Sequence, residues 1–162
     1  MTRLADLHIH THFSDGTDSP EEVIRQAHRA GLSAIAISDH DTTDGILPAI
    51  KAGEEFDIEV IPAIELSTSI YGKDVHILAY CFDPKDNRIQ TLLKRFQDAR
   101  LERVTCMIEK LKEAGVTGIT VEEVTRRAQS GAVGRPHLAS ALVEKKIVGS
   151  LQQAFDLYLA EG

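Results

Sequence analysis

Cysteine is scarce in this 162-residue chain, and Cys81 and Cys106 stand far apart. They form neither a C-x-x-C pair nor a multi-cysteine framework, which excludes a disulfide scaffold and a cysteine zinc site; both are expected as buried free thiols. Also missing is any apolar run long enough for a signal peptide or a membrane span. The opening "MTRLADL" carries no export signal, so a cytoplasmic protein without membrane contact is expected. Positive charge is short as well: Asp and Glu outnumber Lys and Arg by 25 to 18, a formal net charge of -7. Such a chain has no overall basic field to hold a long phosphate backbone, which excludes extended nucleic-acid binding. A small or short anionic substrate remains compatible wherever bound cations reverse the field locally. Internal repeats and low-complexity segments are absent too. What is present is a hydrophobic fraction of 43%, enough over this length for one globular domain with a core.

The first half alternates strand and helix. Residues Arg3 to His10 read as a strand, and "SPEEVIRQAHRAG" as a helix with Ser19 as N-cap, Pro20 at its first position and Gly31 at its end. "SAIAISDHD" is apolar until Ser38, as expected of a parallel strand covered on both faces, and "ILPAIKAGEEF" follows as a helix. "IEVIPAIELS" is a third strand, and "DVHILAYCFD" a fourth that pairs with "STSIYG" across a turn at Gly72. After Asp83 the pattern turns helical, with an expected helix from Ile89 to Ala114 whose stripe is Leu92, Leu93, Phe96, Leu101, Val104, Ile108 and Leu111. Shorter helices are predicted at "TVEEVTRRAQ", "PHLASALVEKK" and "SLQQAFDLYLAE". An α/β architecture results, the start of a barrel interrupted by helices.

Three of the seven histidines sit on alternate positions of "DLHIHTHFSDG". Side chains two apart on a strand share a face, so Asp6, His8 and His10 point one way while Leu7 and Ile9 point the other. Parallel β/α folds place functional groups at the C-terminal ends of strands. His10 closes the first strand, His40 the second and Glu65 the third, whereas His76 lies inside its segment. Asp15 follows in a Ser-Asp-Gly turn that can fold back over the same opening. Imidazole nitrogens with carboxylate oxygens suit Zn, Mn or Fe, and a carboxylate such as Glu65 can bridge two ions. Two or three such ions acidify a water and clamp the attacking and leaving oxygens of a phosphoryl displacement.

Each residue also has a plainer reading. His8 and His10 could be hydrogen-bonded polar side chains, but two imidazoles beside an apolar strand are costly without partners. His12 reads as a solvated loop residue, His28 as surface, and Asp41 and Asp44 as turn residues. Asp6 and Asp39 are candidates to orient imidazoles through the free ring nitrogen. Glu65 could pair with Arg or Lys instead of a metal, and His76 is ambiguous alone. "GRPHLA" could be only a helix start, or could bring Arg135 and His137 to an anionic group of a substrate.

Together, "DLHIHTHFSDG", "ISDHDT", "AIELS", "DVHILAY" and "GRPHLA" resemble the polymerase and histidinol phosphatase family of metal-dependent phosphoesterases. H-x-H alone is shared with amidohydrolases, whereas Asp15 in "SDG" and the "SDH" pair favour the phosphoesterases. The resemblance is strongest to small stand-alone members that dephosphorylate nucleotides such as nucleoside 3',5'-bisphosphates or trim 5' ends of short RNAs through a metal-activated hydroxide. It implies a distorted (β/α)7-type barrel, with residues 1–85 as its N-terminal segment and 86–162 as a helical insertion after the fourth strand. It further implies that His8, His10 and Glu65 hold one metal, Glu65 and His76 a second, and Asp15 and His40 a third, with Arg135 and His137 on the insertion that covers the substrate. Such family members continue with a histidine in an "AHP" stretch and a late Asp-x-His pair. The 162 residues are therefore expected to belong to a longer enzyme, and an open sheet edge is expected to self-associate. Histidinol-phosphate hydrolysis and a catalytically incomplete metal-binding module are the alternatives; a domain without metal leaves the clustered histidines unexplained.

Overall fold

A computed structural model describes residues 3–71, 73–128 and 131–159. Its first half runs β1 (Ala5–Ile9), α1 (Pro20–Arg29), β2 (Ala34–Ile37), α2 (Ile46–Phe56), β3 (Glu59–Ile70) and β4 (Lys73–Tyr80). The second half is helical: α3 (Asn87–Glu113), α4 (Val121–Arg127), α5 (Arg135–Glu144) and α6 (Leu151–Ala154), which passes into a π-helical turn at Phe155–Leu159. Local chemistry sets these limits. Ser19 accepts from the Glu22 amide at 3.2 Å and Pro20 opens α1, while Thr120 and Glu123 form a reciprocal capping box at the start of α4.

The strands form one sheet in the order β1-β2-β3-β4, parallel until the last pair, which is an antiparallel hairpin with Ile70 opposite Lys73. Gly72, expected at that turn, lies outside the described residues, as do Gln129 and Glu161 at the ends of two expected helices. The sheet curls. In a flat sheet three strand spacings would hold β1 and β4 about 14 Å apart, yet the Tyr80 hydroxyl of β4 donates to the Leu7 carbonyl of β1 at 2.9 Å. The curl turns the histidine face of β1 toward β3.

Two elements depart from the sequence reading. β2 stops at Ile37, and His40 rejoins the sheet through an isolated parallel bridge to Glu65. β3 runs on to Ile70 because the hairpin with β4 extends it, so Glu65 sits inside the strand, not at its end. The sulfur residues also differ from expectation: both cysteines are free and exposed. On α3 the buried positions Leu93, Val104, Ile108 and Leu111 put Cys106 on the opposite side; Leu92 is turned away from that stripe as well, and Leu101 lies at its edge, and both are exposed. Among the described residues, no helix is long and apolar enough to cross a membrane.

Two apolar clusters stand out among the described residues. Ile24, Ile35, Ile37, Ile46, Ala49 and Ile58 pack α1 and α2 against the sheet, whereas Val104, Ile108, Val124, Leu138, Leu142 and Ala154 join the helices of the second half. Ile24 and Leu142 are both fully buried. Truncating either to alanine should cost about 2–5 kcal/mol, read as a lowered midpoint in urea with an unchanged slope.

Candidate metal centre

Six side chains converge at the end of the parallel strands. His8 Nε2 and His10 Nε2 lie 2.8 and 2.9 Å from the same Glu65 oxygen, Oε2, and 3.0 Å from each other. The other Glu65 oxygen meets His76 Nδ1 at 2.7 Å. On the far side of His10, Nδ1 lies 3.0 Å from Asp15, whose second oxygen is 3.6 Å from His40 Nε2. Ligand atoms within 4.8 Å of one another define three overlapping triads: His8, His10 and Glu65; His10, Asp15 and His40; His40, Glu65 and His76. Relative to the grouping implied by the resemblance, His10 joins Asp15 and His40, and His40 joins Glu65 and His76.

The donor set fits divalent cations. A neutral imidazole carries one N–H, so two Nε2 atoms facing each other and one carboxylate oxygen cannot all be satisfied by protons alone. Ligands about 2.0–2.2 Å from an ion and at right angles around it lie about 3 Å apart, which matches the edges of the first triad. His40 Nδ1 is buried without a hydrogen-bond partner, an expensive arrangement that a cation would relieve.

The loops are shaped to hold these groups. A Cβ at Gly16 would stand 2.5 Å from the His10 carbonyl oxygen, so the Ser-Asp-Gly turn folds back onto the strand end only with glycine there. Gly131 is tighter still, with the Phe13 carbonyl oxygen 1.8 Å from an added Cβ, and the next amide, of Ala132, donates to that oxygen. The segment before α5 thus lies directly on the loop that carries Asp15.

Two supporting carboxylates act differently from expectation. Asp6 is exposed and accepts from the backbone amide of His8 at 3.2 Å instead of reaching a ring, because its short side chain folds back along its own strand. Asp39 is almost fully buried and accepts from the Thr11 amide, the Thr11 hydroxyl and the Ser14 hydroxyl, each at 2.7 Å. It reaches His10 only through Ser14, whose oxygen is 3.3 Å from Nδ1. Asp41 is no simple turn residue: it sits in the left-handed region (φ 51°), wholly buried, with its carboxylate paired to Arg100. Asp44 is an exposed turn residue, and His12 stacks at a tilt on Phe13 in the loop.

Arg135 and His137 stand at the start of α5. The Arg135 guanidinium is 3.5 Å from Asp74, and His137, 9% exposed, accepts at Nδ1 from the Gly134 amide. With Asp15, His40, His76 and Arg100 they line a cavity of about 150 Å³. Arg100 is the residue that sequence reasoning missed. The buried positions of α3 fix a stripe in which Gln97 and Arg100 continue the helical spacing from Leu93 to Val104, so the phase of the pattern carried the signal.

The electrostatics follow from this crowding. Burial pushes the His40 imidazole down to about 4, against the pull of Asp15. Burial alone would raise Asp15, but the hydrogen bond from His10 and the charges of His40, His10 and Arg100 hold it at about 2. For His10, burial is outweighed by Asp15, Glu65 and Asp39, and its pKa is raised. Glu65 is lowered against its burial by His8, His40, His76 and His10.

The comparisons with known proteins agree with this chemistry. The profile described as PHP domain matches residues 6–113. A 5'-3' exoribonuclease of Haemophilus influenzae is 35% identical over the whole chain, which covers 58% of that protein. A 3',5'-nucleoside bisphosphate phosphatase of Chromobacterium violaceum is 32% identical over 97% of the chain and 55% of its own length. Among solved structures, a proposed metal-dependent phosphoesterase of Bifidobacterium adolescentis superposes with a TM-score of 0.87 at 33% identity, over 98% of this chain and 56% of that one. The chain thus spans just over half the length of these relatives.

In metal-free protein, His40 should contribute stability that is complete above its ordinary value of 6.5 and lost as pH falls toward about 4. His10, raised instead, contributes stability that is complete below 6.5 and lost as pH rises through its shifted value. In thermal melts after chelation, His40→Gln should flatten the slope between pH 4 and 6.5 and leave the alkaline side unchanged.

Proposed function

The chain belongs to the PHP domain family, and on that footing we propose that its site hydrolyses phosphate esters of nucleotides, such as nucleoside 3',5'-bisphosphates, or of short oligonucleotides. The observation that carries the reading is the set of three triads, two of which place Asp15, His40 and His76 on the wall of a cavity that also includes Arg100 and Arg135. His8, His10 and Glu65, then His10, Asp15 and His40, then His40, Glu65 and His76 hold two or three divalent ions, Mn, Fe or Zn. Such ions, when bound, acidify water and neutralise charge on a transferring phosphoryl group. Arg135 and the Arg100 charge favour an anionic ester at that wall, and His137, fixed at the helix start, shapes the rim. A neighbouring cavity of about 470 Å³, which shares Arg103, Met107 and Arg135 with the first, has room for the rest of a nucleotide.

In this reading residues 1–85 are the metal-bearing segment of a distorted (β/α)7-type barrel, and 86–162 are the cap inserted after its fourth strand. The exoribonuclease and bisphosphate phosphatase relatives support a nucleotide or RNA substrate, and two exposed free thiols suit a reducing cytoplasm. The outer edge of β1, with Leu4 and Leu7 exposed, is the surface through which copies associate. Light scattering should therefore give a concentration-dependent mass above that of one 17.8 kDa chain.

A phosphate-release panel tests the activity. With Mn2+, a nucleoside 3',5'-bisphosphate or a short 5'-phosphorylated oligoribonucleotide should be turned over in preference to histidinol phosphate. Chelation and His10→Ala should each remove that turnover. Rates no higher than those of His10→Ala with every metal and substrate would sink the proposal, and retained metal without turnover would favour a binding module.

A further inference from the structure

Arg100 lies on the inward stripe of α3, between Leu93 and Val104, where an apolar side chain would be expected. Its guanidinium reaches three separate segments. Nε pairs with the buried carboxylate of Asp41, one terminal nitrogen donates to the Ser67 hydroxyl at 2.5 Å, and the other donates to the Val133 carbonyl at 3.3 Å. Asp41 is also tied from the strand side, since its second oxygen accepts from the Ser67 amide at 2.9 Å. Gln97, one turn earlier on α3, donates to the Asp41 carbonyl at 3.1 Å.

These segments are the ones that carry the centre. Asp41 directly follows His40, Ser67 stands two residues after Glu65, and Val133 precedes Arg135 and His137. The turn and the strand are knitted by two backbone bonds, from the Asp41 amide to the Glu65 carbonyl at 3.1 Å and from the Glu65 amide to the Asp39 carbonyl at 3.2 Å. Asp41 holds a left-handed backbone, which is uncommon for non-glycine residues although Asp adopts it more readily than most. From α3, Arg100 and Gln97 both bond to Asp41 in this conformation. A planar fork with several fixed donors can span three acceptors, which a lysine ammonium cannot.

We propose that Arg100 is the positioning residue of the metal centre: by clamping Asp41 against Ser67 from the helical layer, it holds His40 in the geometry on which two of the three triads depend. The inference rests on the metal-binding reading of the site. It assigns the helical layer a part in metal retention, in addition to covering substrate.

The test is Arg100→Lys, which leaves Asp41 with a cationic neighbour and so avoids an uncompensated buried charge. Mn2+ titration by calorimetry should show about 10–100-fold weaker binding at the same equivalents that His40→Ala removes, with the His8-dependent equivalent retained. Hydrogen exchange should quicken at the amides of Asp41 and Ser67 but not in Ala34–Ile37 of β2. Asp41→Asn with Arg100→Met, which removes both charges together, should give the same selective loss in a folded protein. Wild-type metal affinity and wild-type exchange in either variant would overturn the proposal, and so would a loss spread evenly over all equivalents and strands. If the unaltered protein takes up no metal, the functional reading fails on its own, and exchange at Asp41 and Ser67 alone decides whether Arg100 positions the turn.

Discussion

One carboxylate organises the molecule. Glu65 is 6% exposed, and each of its oxygens is engaged by imidazole: His8 and His10 on one, His76 on the other, with His40 3.9 Å away. Burying an anion is costly, and the cost is offset only if positive or hydrogen-bonding groups arrive from several directions at once. Those directions are supplied by two strands, β1 and β4, and by the segments that follow β1 and β2. The curl of the sheet, the return of His40 to the strand by a single bridge and the antiparallel hairpin that carries His76 all serve to bring them within reach.

The part of this arrangement that is local in sequence was legible. The alternation of His8 and His10 put both on one face, and the Ser19–Pro20 start and left-handed Gly31 bounded the first helix where the structure has it. The pairing of "STSIYG" with the fourth strand was legible too, whereas Glu65, expected at a strand end, lies inside β3 because that hairpin arm is continuous with the strand. Asp6 was read from parity alone. A short side chain next to its own backbone found an amide sooner than it found an imidazole.

What was not legible depends on contacts between distant segments. Arg100 and Asp41 are 59 positions apart, and nothing in "SDHDTTDG" distinguishes a buried, charge-paired aspartate from a solvated turn residue. The helix stripe was read by hydrophobicity, which chose Phe96 and Leu101 and passed over Gln97 and Arg100. Polar residues at core-facing positions break the pattern, and they do so where the helix meets the site instead of the second apolar cluster. The exposure of Cys106 follows from the same choice of phase.

The separation of the two apolar clusters has a further consequence. The helical layer meets the sheet layer near the centre through Arg100, Gln97 and Gln90, which donate to Asp41, Ser67 and Thr43, while each layer keeps its own greasy interior. A few polar anchors constrain far fewer residues than a shared core would. The helices can therefore drift in sequence and shape over evolutionary time while the strands that carry the clustered histidines and carboxylates stay fixed.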